Sequence, residues 1–202
     1  MKFFTSDTHF GQERALTLSM RPFDSVDEMD RTIIENINDV LSTGEDPVVL
    51  YHLGDFGDYN RVREINAPVI LIVGNYEEKE YEDHFDEWSK EILDKYGYDG
   101  KTGFLEIWKP IKKISIEYTL DDKPNPVYRK ELMLAHKPLD IKKVLMNDFE
   151  RGLFGHIHGR QKVKKFGVDV GVDAQNFKPI SENDVGFYLN AIDKFYDDDV
   201  FC

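Results

Sequence analysis

Three short apolar segments, each followed by polar residues, constrain the fold of this chain more than any other feature of its sequence. Residues 2–6, 47–53 and 68–73 carry apolar side chains with little polar alternation, which is typical of buried parallel strands. A helix is predicted between the first two strands, because Ser25 and Glu28 form a capping-box pattern ahead of apolar residues at helical spacing. Strands alternating with helices predict an α/β arrangement with a parallel sheet.

Each of these three strands is predicted to end at residues that can bind a metal ion. Asp7 and His9 follow the first strand, Asp55 follows the second, and Asn75 follows the third. Open α/β sheets bind their ligands outside the carboxyl ends of the strands, so we expect these side chains at one edge of the sheet. Viewed alone, Asp7 is equally compatible with a turn in which it hydrogen-bonds its own backbone.

Two later segments add histidines. A strand predicted over 128–135 ends at His136, and His156 and His158 lie two residues apart between two glycines. In a strand these last two imidazoles would point to opposite faces, so both can face one site only if the backbone turns, which flanking glycines permit. A surface turn that happens to hold two histidines is the alternative. His52, inside the second strand, is expected to be a packed, hydrogen-bonded core residue.

The candidate ligands share oxygen and nitrogen donors and include no sulfur. They are Asp7, His9, Asp55, Asn75, His136, His156 and His158. Seven donors exceed the four of a tetrahedral zinc site and fit two ions that share a bridging carboxylate. Two ions about 3.5–4 Å apart can clamp a phosphoryl group and lower the pKa of bound water to about 7. The pattern therefore predicts a hydrolytic centre with two metal ions.

The order of these motifs resembles the calcineurin-like metallophosphoesterase superfamily. Asp-x-His, Gly-Asp, Gly-Asn, His and Gly-His-x-His follow one another from Asp7 to His158. Arg21-Pro22-Phe23, Gly171-Val172-Asp173 and Pro179-Ile180-Ser181 are similar to a compact bacterial and phage branch of that superfamily. The resemblance implies an α/β (α+β) fold of the metallophosphoesterase type, a two-sheet β-sandwich flanked by helices.

The resemblance also implies how the seven ligands divide between two divalent ions. The ligands of the first ion would be Asp7, His9 and His158. The ligands of the second ion would be Asn75, His136 and His156. Asp55 would bridge the two ions, and the attacking hydroxide would lie between them. Manganese is the preferred candidate, and iron, zinc or nickel also suit these donors.

Residue 76 departs from the family pattern. Members usually continue Gly-Asn with a histidine that is thought to protonate the leaving oxygen, whereas this chain has Tyr76. An unperturbed tyrosine has a pKa near 10, and losing a general acid commonly costs about 10²- to 10⁴-fold in rate. Glu77, which would orient that histidine, then lacks its usual partner, and Gln12 stands where the branch often has another histidine. The catalytic candidates are Asp55, Asn75 and Tyr76.

Composition limits the partners and the setting. The 202 residues, expected to form a single domain over 1–202 with 193–202 as an acidic tail, carry a net charge of −13, which disfavours an extended grip on nucleic acid. The only cysteine, Cys202, excludes an internal disulfide. The sequence has no apolar run long enough to span a bilayer, so we expect a cytoplasmic protein. Residues 78–96 are expected to form one amphipathic helix.

The favoured function is a dimetal-dependent phosphoesterase that hydrolyses a small phosphodiester or phosphomonoester. Arg21, Lys137 and Arg160 lie next to ligand positions and are the candidates for neutralising phosphate oxygens.

Two other functions stay open. The first is a catalytically weak or inactive scaffold that binds a partner protein through a surface near Trp88, Phe104 and Trp108. The second is a nuclease, which is the least favoured because the chain lacks a basic stripe.

Overall fold

Two five-stranded sheets form the centre of the fold in the computed structural model, which describes residues 1–120, 126–145 and 150–197. The strands of the first sheet are β1 (Lys2–Thr5), β2 (Val49–His52), β3 (Pro68–Ile72), β4 (Gly103–Trp108) and β10 (Ile180–Ser181). Their spatial order is β10-β1-β2-β3-β4, with β1 to β4 parallel and β10 antiparallel to β1. The apolar segments predicted as parallel strands therefore lie side by side.

The second sheet is also mixed. Its strands are β5 (Ile111–Tyr118), β6 (Tyr128–Ala135), β7 (Arg151–Phe154), β8 (Val163–Lys164) and β9 (Gly167–Asp169). The spatial order is β5-β6-β7-β9-β8, in which β6, β7 and β9 run parallel to one another. The two edge strands, β5 and β8, are antiparallel to their neighbours.

Helices connect these strands. They are α1 (Arg14–Leu18), α2 (Val26–Leu41), α3 (Asn75–Tyr81), α4 (Phe85–Tyr96), α5 (Pro138–Val144) and α6 (Glu182–Phe195), with a 3₁₀ helix at Tyr59–Glu64. As the Ser25 and Glu28 pattern predicts, Ser25 caps the N-terminus of α2, and its hydroxyl accepts a hydrogen bond from the Glu28 backbone N–H at 3.2 Å. No helix among the described residues is long and apolar enough to cross a membrane.

Side chains of the first sheet alternate between two apolar clusters, as the two-residue period of a strand requires. Phe3 and Leu50 belong to a cluster that includes Ile33 of α2. The next residue of β1, Phe4, belongs to another cluster with Leu132 of the second sheet. The first sheet is therefore covered by a helix on one face and by the second sheet on the other. This confirms the predicted fold class, a two-sheet core flanked by helices.

The structure corrects two predicted boundaries. The helix expected over 78–96 is two helices, α3 and α4, because the chain breaks at Glu82, which has a φ of 46°. The first residues of the tail expected over 193–202 belong to α6, which extends to Phe195, and Asp193 within it pairs with Arg151 at 2.6 Å; residues 198–202 of that expected tail lie outside the described residues. Most of the turn expected at 121–126, and Cys202, fall outside the described residues.

The aromatic surface expected for a scaffold is not formed as one patch. Phe104 is 1% exposed and belongs to the same cluster against which Trp88 packs. Trp108 packs against the other cluster, between the sheets. These three rings serve the core, so they do not form a shared exposed surface.

Candidate metal centre

The predicted ligands come together where strands of both sheets end. Asp7, Asp55 and Asn75 follow β1, β2 and β3, while His136 follows β6 and the two remaining histidines follow β7. The sheets meet at this edge: Ser6, just beyond β1, forms a bridge with Gly171, just beyond β9, and the Ser6 carbonyl accepts the Val172 N–H at 3.0 Å. The carboxyl ends of both sheets thus face one site.

A first group consists of Asp7, His9 and His158, whose ligand atoms all lie within 4.8 Å of one another. The two imidazole rings stack with centroids 5.3 Å apart. Nδ1 of His9 lies 2.8 Å from Oε1 of Gln12, and Nδ1 of His158 lies 2.8 Å from Oδ2 of Asp173. Because those contacts engage the Nδ1 atoms, each ring has Nε2 left to bind an ion.

A second group consists of Asp55, His136 and His156, again with ligand atoms within 4.8 Å of one another. Nε2 of His136 lies 3.0 Å from Oδ1 of Asn75 and 3.2 Å from Nδ1 of His156. Nδ1 of His136 donates to the Leu53 carbonyl at 2.8 Å, which again leaves Nε2 directed at the other ligands. Asn75, expected with these residues from the sequence, therefore lies beside them.

Asp55 lies between the two groups. Its Oδ2 is 3.3 Å from Nε2 of His136 and 3.7 Å from Nε2 of His9. Its Oδ1 accepts a hydrogen bond from the Tyr76 backbone N–H at 3.0 Å. One carboxylate is thus within reach of both sets of donors, which is the geometry that a shared ligand needs.

Left-handed backbone conformations aim the ligands at the site. Asp7, His9, Asp55, His156 and His158 all have φ between 48° and 72°. Non-glycine residues rarely adopt this region, and such conformations persist where surrounding contacts enforce them, typically at functional sites. This backbone answers the question left open by the histidine pair, because the chain turns at both His156 and His158.

Glycine is required at position 155 for a different reason. A Cβ there would overlap the Asp7 carboxylate and the Ser6 hydroxyl. Because residue 155 has no Cβ, the Asp7 carboxylate can accept the His156 backbone N–H at 2.9 Å. This hydrogen bond connects Asp7 in the first ligand motif to the backbone of His156 in the last ligand motif.

The electrostatics of the site favour a positive charge. Burial alone would lower the pKa of His136, but its hydrogen bond to Asp55 and the charges of Asp7 and Asp55 raise that pKa to about 9. Burial alone would raise the pKa of Asp55, but the His136 hydrogen bond and charge lower it to about 2. Without an ion, the carboxylates hold a proton on His136 instead, as expected where protons and cations compete.

Two of the candidate donor atoms also have hydrogen-bonding requirements that the described residues leave unsatisfied. Nε2 of His9 is buried and has no hydrogen-bond partner among the described residues, a costly state for a polar atom. Nε2 of His136 meets an oxygen of Asn75, an oxygen of Asp55 and a nitrogen of His156 within 3.3 Å, although a single N–H can satisfy few of them. A cation would satisfy both histidines.

Arg21 is not placed to bind a substrate, contrary to the expectation from sequence. Its guanidinium is buried, and Nε and Nη2 bind Asp173 at 2.9 Å each. Nη2 also donates to the Asp7 carbonyl at 2.6 Å, and Nη1 donates to the Thr8 carbonyl at 2.9 Å and to Sδ of Met29 at 3.3 Å. These bonds engage all five N–H groups of an arginine, so none is left for a phosphate oxygen.

Glu77 has partners that the sequence did not indicate. Its carboxylate is 1% exposed. It accepts the backbone N–H groups of Asp55 and Phe56 at 2.9 Å each and that of Gly74 at 2.7 Å. Burial and the charge of Asp55 raise the pKa of Glu77 above its usual value, although these three N–H groups oppose that shift. Glu77 thus joins the segment after β2 to the start of α3, although it has no histidine at position 76 to orient.

The other predicted contacts lie around the site. Tyr76 packs edge-on against the His9 ring at 5.0 Å, and Lys79 lies over the Tyr76 ring at 5.1 Å. Lys137, next to His136, pairs with Glu78 at 2.7 Å and is about one-third exposed. Arg160 is exposed, two residues beyond His158. His52 is a packed core residue, as expected, with Nε2 2.9 Å from the Thr8 hydroxyl.

The fold therefore has two sheets and, at their strand ends, two adjacent groups of side chains that could hold metal ions. The family model described as calcineurin-like phosphoesterase matches residues 3–175. The chain belongs to this family.

Two individual proteins are similar to parts or all of the chain. The uncharacterized protein MJ1445 of Methanocaldococcus jannaschii is 32% identical over 83 residues, which cover 37% of this chain and 46% of that protein. The match therefore spans less than half of that relative. The crystal structure of AQ665 from Aquifex aeolicus, a protein of unknown function, superposes with a TM-score of 0.61 at 23% identity. That superposition covers 97% of this chain and 99% of AQ665, and it supports the fold.

Proposed function

We propose that this chain is a phosphoesterase that depends on two divalent metal ions and hydrolyses a small phosphodiester or phosphomonoester. The observation that carries the proposal is the position of Asp55, whose Oδ2 lies 3.3 Å from His136 and 3.7 Å from His9, one histidine from each ligand group. In a member of the calcineurin-like phosphoesterase family, such a shared carboxylate supports two ions in one site. Asp7, His9 and His158 hold one ion, and Asn75, His136 and His156 hold the other.

The protein contributes binding and orientation to the reaction. When bound, two divalent ions supply an activated water and neutralise charge on the phosphate. Asn75, with Oδ1 3.0 Å from His136, adds a neutral donor to the second group, and Asp55 spaces the two groups. Oxygen and imidazole donors suit manganese, our preferred ion, and they also accept iron, zinc or nickel.

The surroundings favour a small anionic substrate over nucleic acid. Lys137 and Arg160 are two cations near the candidate ligands that have exposed surface, and we propose that they contact phosphate oxygens. The chain as a whole carries a net charge of −13, so a long polyanion would be repelled outside this local cluster. A nuclease function is therefore the least favoured.

Tyr76 sets the expected substrate preference. Its backbone N–H is bound to Asp55 and its ring rests against His9, so it occupies the position of the family's acid while offering no imidazole. A phenol matches proton transfer poorly at neutral pH. The enzyme should therefore favour leaving groups that need no proton, such as aryl oxides.

The test is an activity screen with bis-aryl, mono-aryl and alkyl phosphate esters across added manganese, iron, zinc and nickel. We expect ion-dependent turnover of aryl esters and much slower turnover of alkyl esters, with Asp55→Asn as the inactive control. Tyr76→His should raise alkyl ester turnover by at least about tenfold, because a general acid contributes about 10²- to 10⁴-fold. Tyr76→Phe, which removes only the hydroxyl, should change little. Comparable wild-type rates for alkyl and aryl esters would contradict this account of Tyr76.

Tyr76, in place of the family's histidine, also favours one alternative function. Under it, the chain is a catalytically weak or inactive family member that binds a partner protein. Under that alternative, Tyr76→His raises the activity little. The wild type also shows little or no turnover with any of the ions. The screen therefore separates the two functions, and no partner has to be identified first.

A further inference from the structure

The guanidinium of Arg21 connects two distant parts of the first ligand group. It donates to the carbonyls of Asp7 and Thr8 at 2.6 and 2.9 Å, within the segment that carries Asp7 and His9. It also binds both carboxylate oxygens of Asp173 at 2.9 Å, 152 residues further along the chain. Asp7 and His9 have left-handed backbone conformations, with φ of 58° and 50°. Bonds to the carbonyls of this segment hold that turn in place.

Asp173 transmits the same connection to His158. Its Oδ2 accepts from Arg21 and lies 2.8 Å from Nδ1 of His158. An ionised carboxylate can only accept hydrogen bonds, so this contact fixes the proton of His158 on Nδ1. The lone pair of Nε2 is then free to bind an ion. Asp173 therefore favours this tautomer and ring orientation, and the Ser19 hydroxyl, also 2.8 Å from Nδ1, is a second possible acceptor for the same proton.

These contacts reach only one half of the site. Within the described parts of the chain, the side-chain hydrogen bonds of Arg21 and Asp173 go to Asp7, Thr8, Met29, His158 and each other. The second group is held by other atoms: the Leu53 carbonyl orients His136 at 2.8 Å. The ring nitrogens of the two halves are therefore oriented by separate groups, and the link between the halves is the His156 backbone N–H, which donates to the Asp7 carboxylate at 2.9 Å.

We infer that Arg21 and Asp173 are positioning residues for the first metal ion alone, and that losing their ion pair leaves a protein that still binds the second ion. The inference rests on the proposed function only in taking the two ions as its cofactors. Arg21 acts without touching substrate. Its planar fork, which binds two carbonyls and one carboxylate together, cannot be replaced by the single ammonium group of lysine.

The decisive variant is Asp173→Asn, which keeps the side chain's shape. If the new amide group faces His158, it can only donate to Nδ1, which moves the ring's proton to Nε2 and blocks the ligand atom. If it faces Arg21, two donors oppose each other. Because Ser19 Oγ also lies 2.8 Å from Nδ1 of His158, it can accept that proton in place of the carboxylate. The double variant Asp173→Asn with Ser19→Ala removes both acceptors.

The experiment measures manganese binding to the full chain. Calorimetric titration gives the affinities, and electron paramagnetic resonance distinguishes a coupled pair of ions from a single ion. We expect one ion to bind about 10- to 100-fold more weakly in Asp173→Asn and in Arg21→Lys, and more weakly still in the double variant. The other ion should keep its wild-type affinity, so the coupled signal gives way to that of a single ion. The matched control is Asp193→Asn on α6, which loosens an ion pair with Arg151 of β7 and should leave both ions bound.

Two results would overturn the inference. One is a double variant that keeps two ions at wild-type affinity. The other is equal weakening of both ions, or a loss of folding seen in a thermal melt, because either would mean that the pair supports the fold in general. A wild type that binds two ions yet hydrolyses no phosphate ester would refute the proposed function and leave this inference standing.

Discussion

The two halves of the candidate metal centre differ in how firmly the protein holds them. In the first half, Asp7 and His9 are at most 2% exposed, and the His158 side chain is 14% exposed. Both rings have a side-chain partner on Nδ1, Gln12 for His9 and Asp173 for His158. Ligands oriented before the ion arrives lose little freedom when it binds, so this half is built for tight binding.

The second half is more open. His136 is buried and oriented by the Leu53 carbonyl, but His156 is exposed. Among the described residues, His136 is the one partner of the His156 ring in a hydrogen bond, at 3.2 Å, and in edge-on ring packing. We therefore expect the protein to hold one ion permanently and to exchange the other more readily.

The largest expected difference lies between two alanine variants of the same motif. His158→Ala should weaken the first ion by more than about 100-fold, because it removes a ligand together with the contact to Asp173 that orients it. His156→Ala should weaken the second ion by less, about 10- to 100-fold, because water can replace an exposed ligand. Titration of each variant with manganese measures both affinities. Equal losses of manganese affinity in the two variants would contradict the expectation that the first half holds its ion more firmly than the second.

Glu77 should affect both halves, since it supports the shared ligand. Glu77→Gln places an amide N–H₂ against one of the three backbone N–H groups that the carboxylate accepts. A buried donor left without a partner costs about 1–3 kcal/mol, so we expect both ions to bind about 10-fold more weakly. The control is Glu80→Gln on the same helix, an exposed residue that should have no effect. Selective loss of one ion in Glu77→Gln would contradict a shared role.

Much of this site was predictable because its signals are local. An apolar run of four to seven residues followed by Asp, Asn or His marks a strand and its polar end, so the candidate ligands after β1, β2, β3 and β6 follow from sequence. The helix α6 also has a local signal, since Ser181 and Asp184 form a capping box ahead of apolar residues at helical spacing. The acidic residues near its end outweigh that signal in the sequence and favour a solvated tail instead.

The supports of the site were not predictable in the same way. Arg21 lies next to the ligands in the fold, and a cation near a metal centre suggests a phosphate contact, yet its partner Asp173 is 152 residues away. The break at Glu82 between α3 and α4 is a left-handed residue with no glycine to signal it. Such contacts depend on packing between distant segments, which a pattern of neighbouring residues does not encode.

The pH dependence of metal binding tests the second half of the site in the unsubstituted protein. Because the pKa of His136 is raised to about 9, an ion that binds there at pH 7.5 must displace a proton. Affinity for that ion should rise by about tenfold per pH unit up to pH 9 and then level off. Calorimetry at pH 7.5 in buffers of different ionisation enthalpy counts the protons released, and His136→Asn should release about one fewer. The same proton count in both proteins would mean that His136 is neutral before the ion binds.

The smallest expected effect concerns the rim of the second half, where Lys137 lies beside His136. Lys137→Met keeps the length of the side chain and removes the charge. Because the ammonium is about one-third exposed and already pairs with Glu78 at 2.7 Å, its contribution to phosphate binding should be modest, about 0.2–1 kcal/mol. That corresponds to a rise in KM of roughly 1.4- to fivefold with kcat little changed, measured on an aryl phosphate with both ions saturating. Lys90→Met, an exposed lysine of α4, is the matched control. A fall in kcat at constant KM would instead assign Lys137 to the transition state, and the open half of the site would then carry catalysis as well as the exchangeable ion.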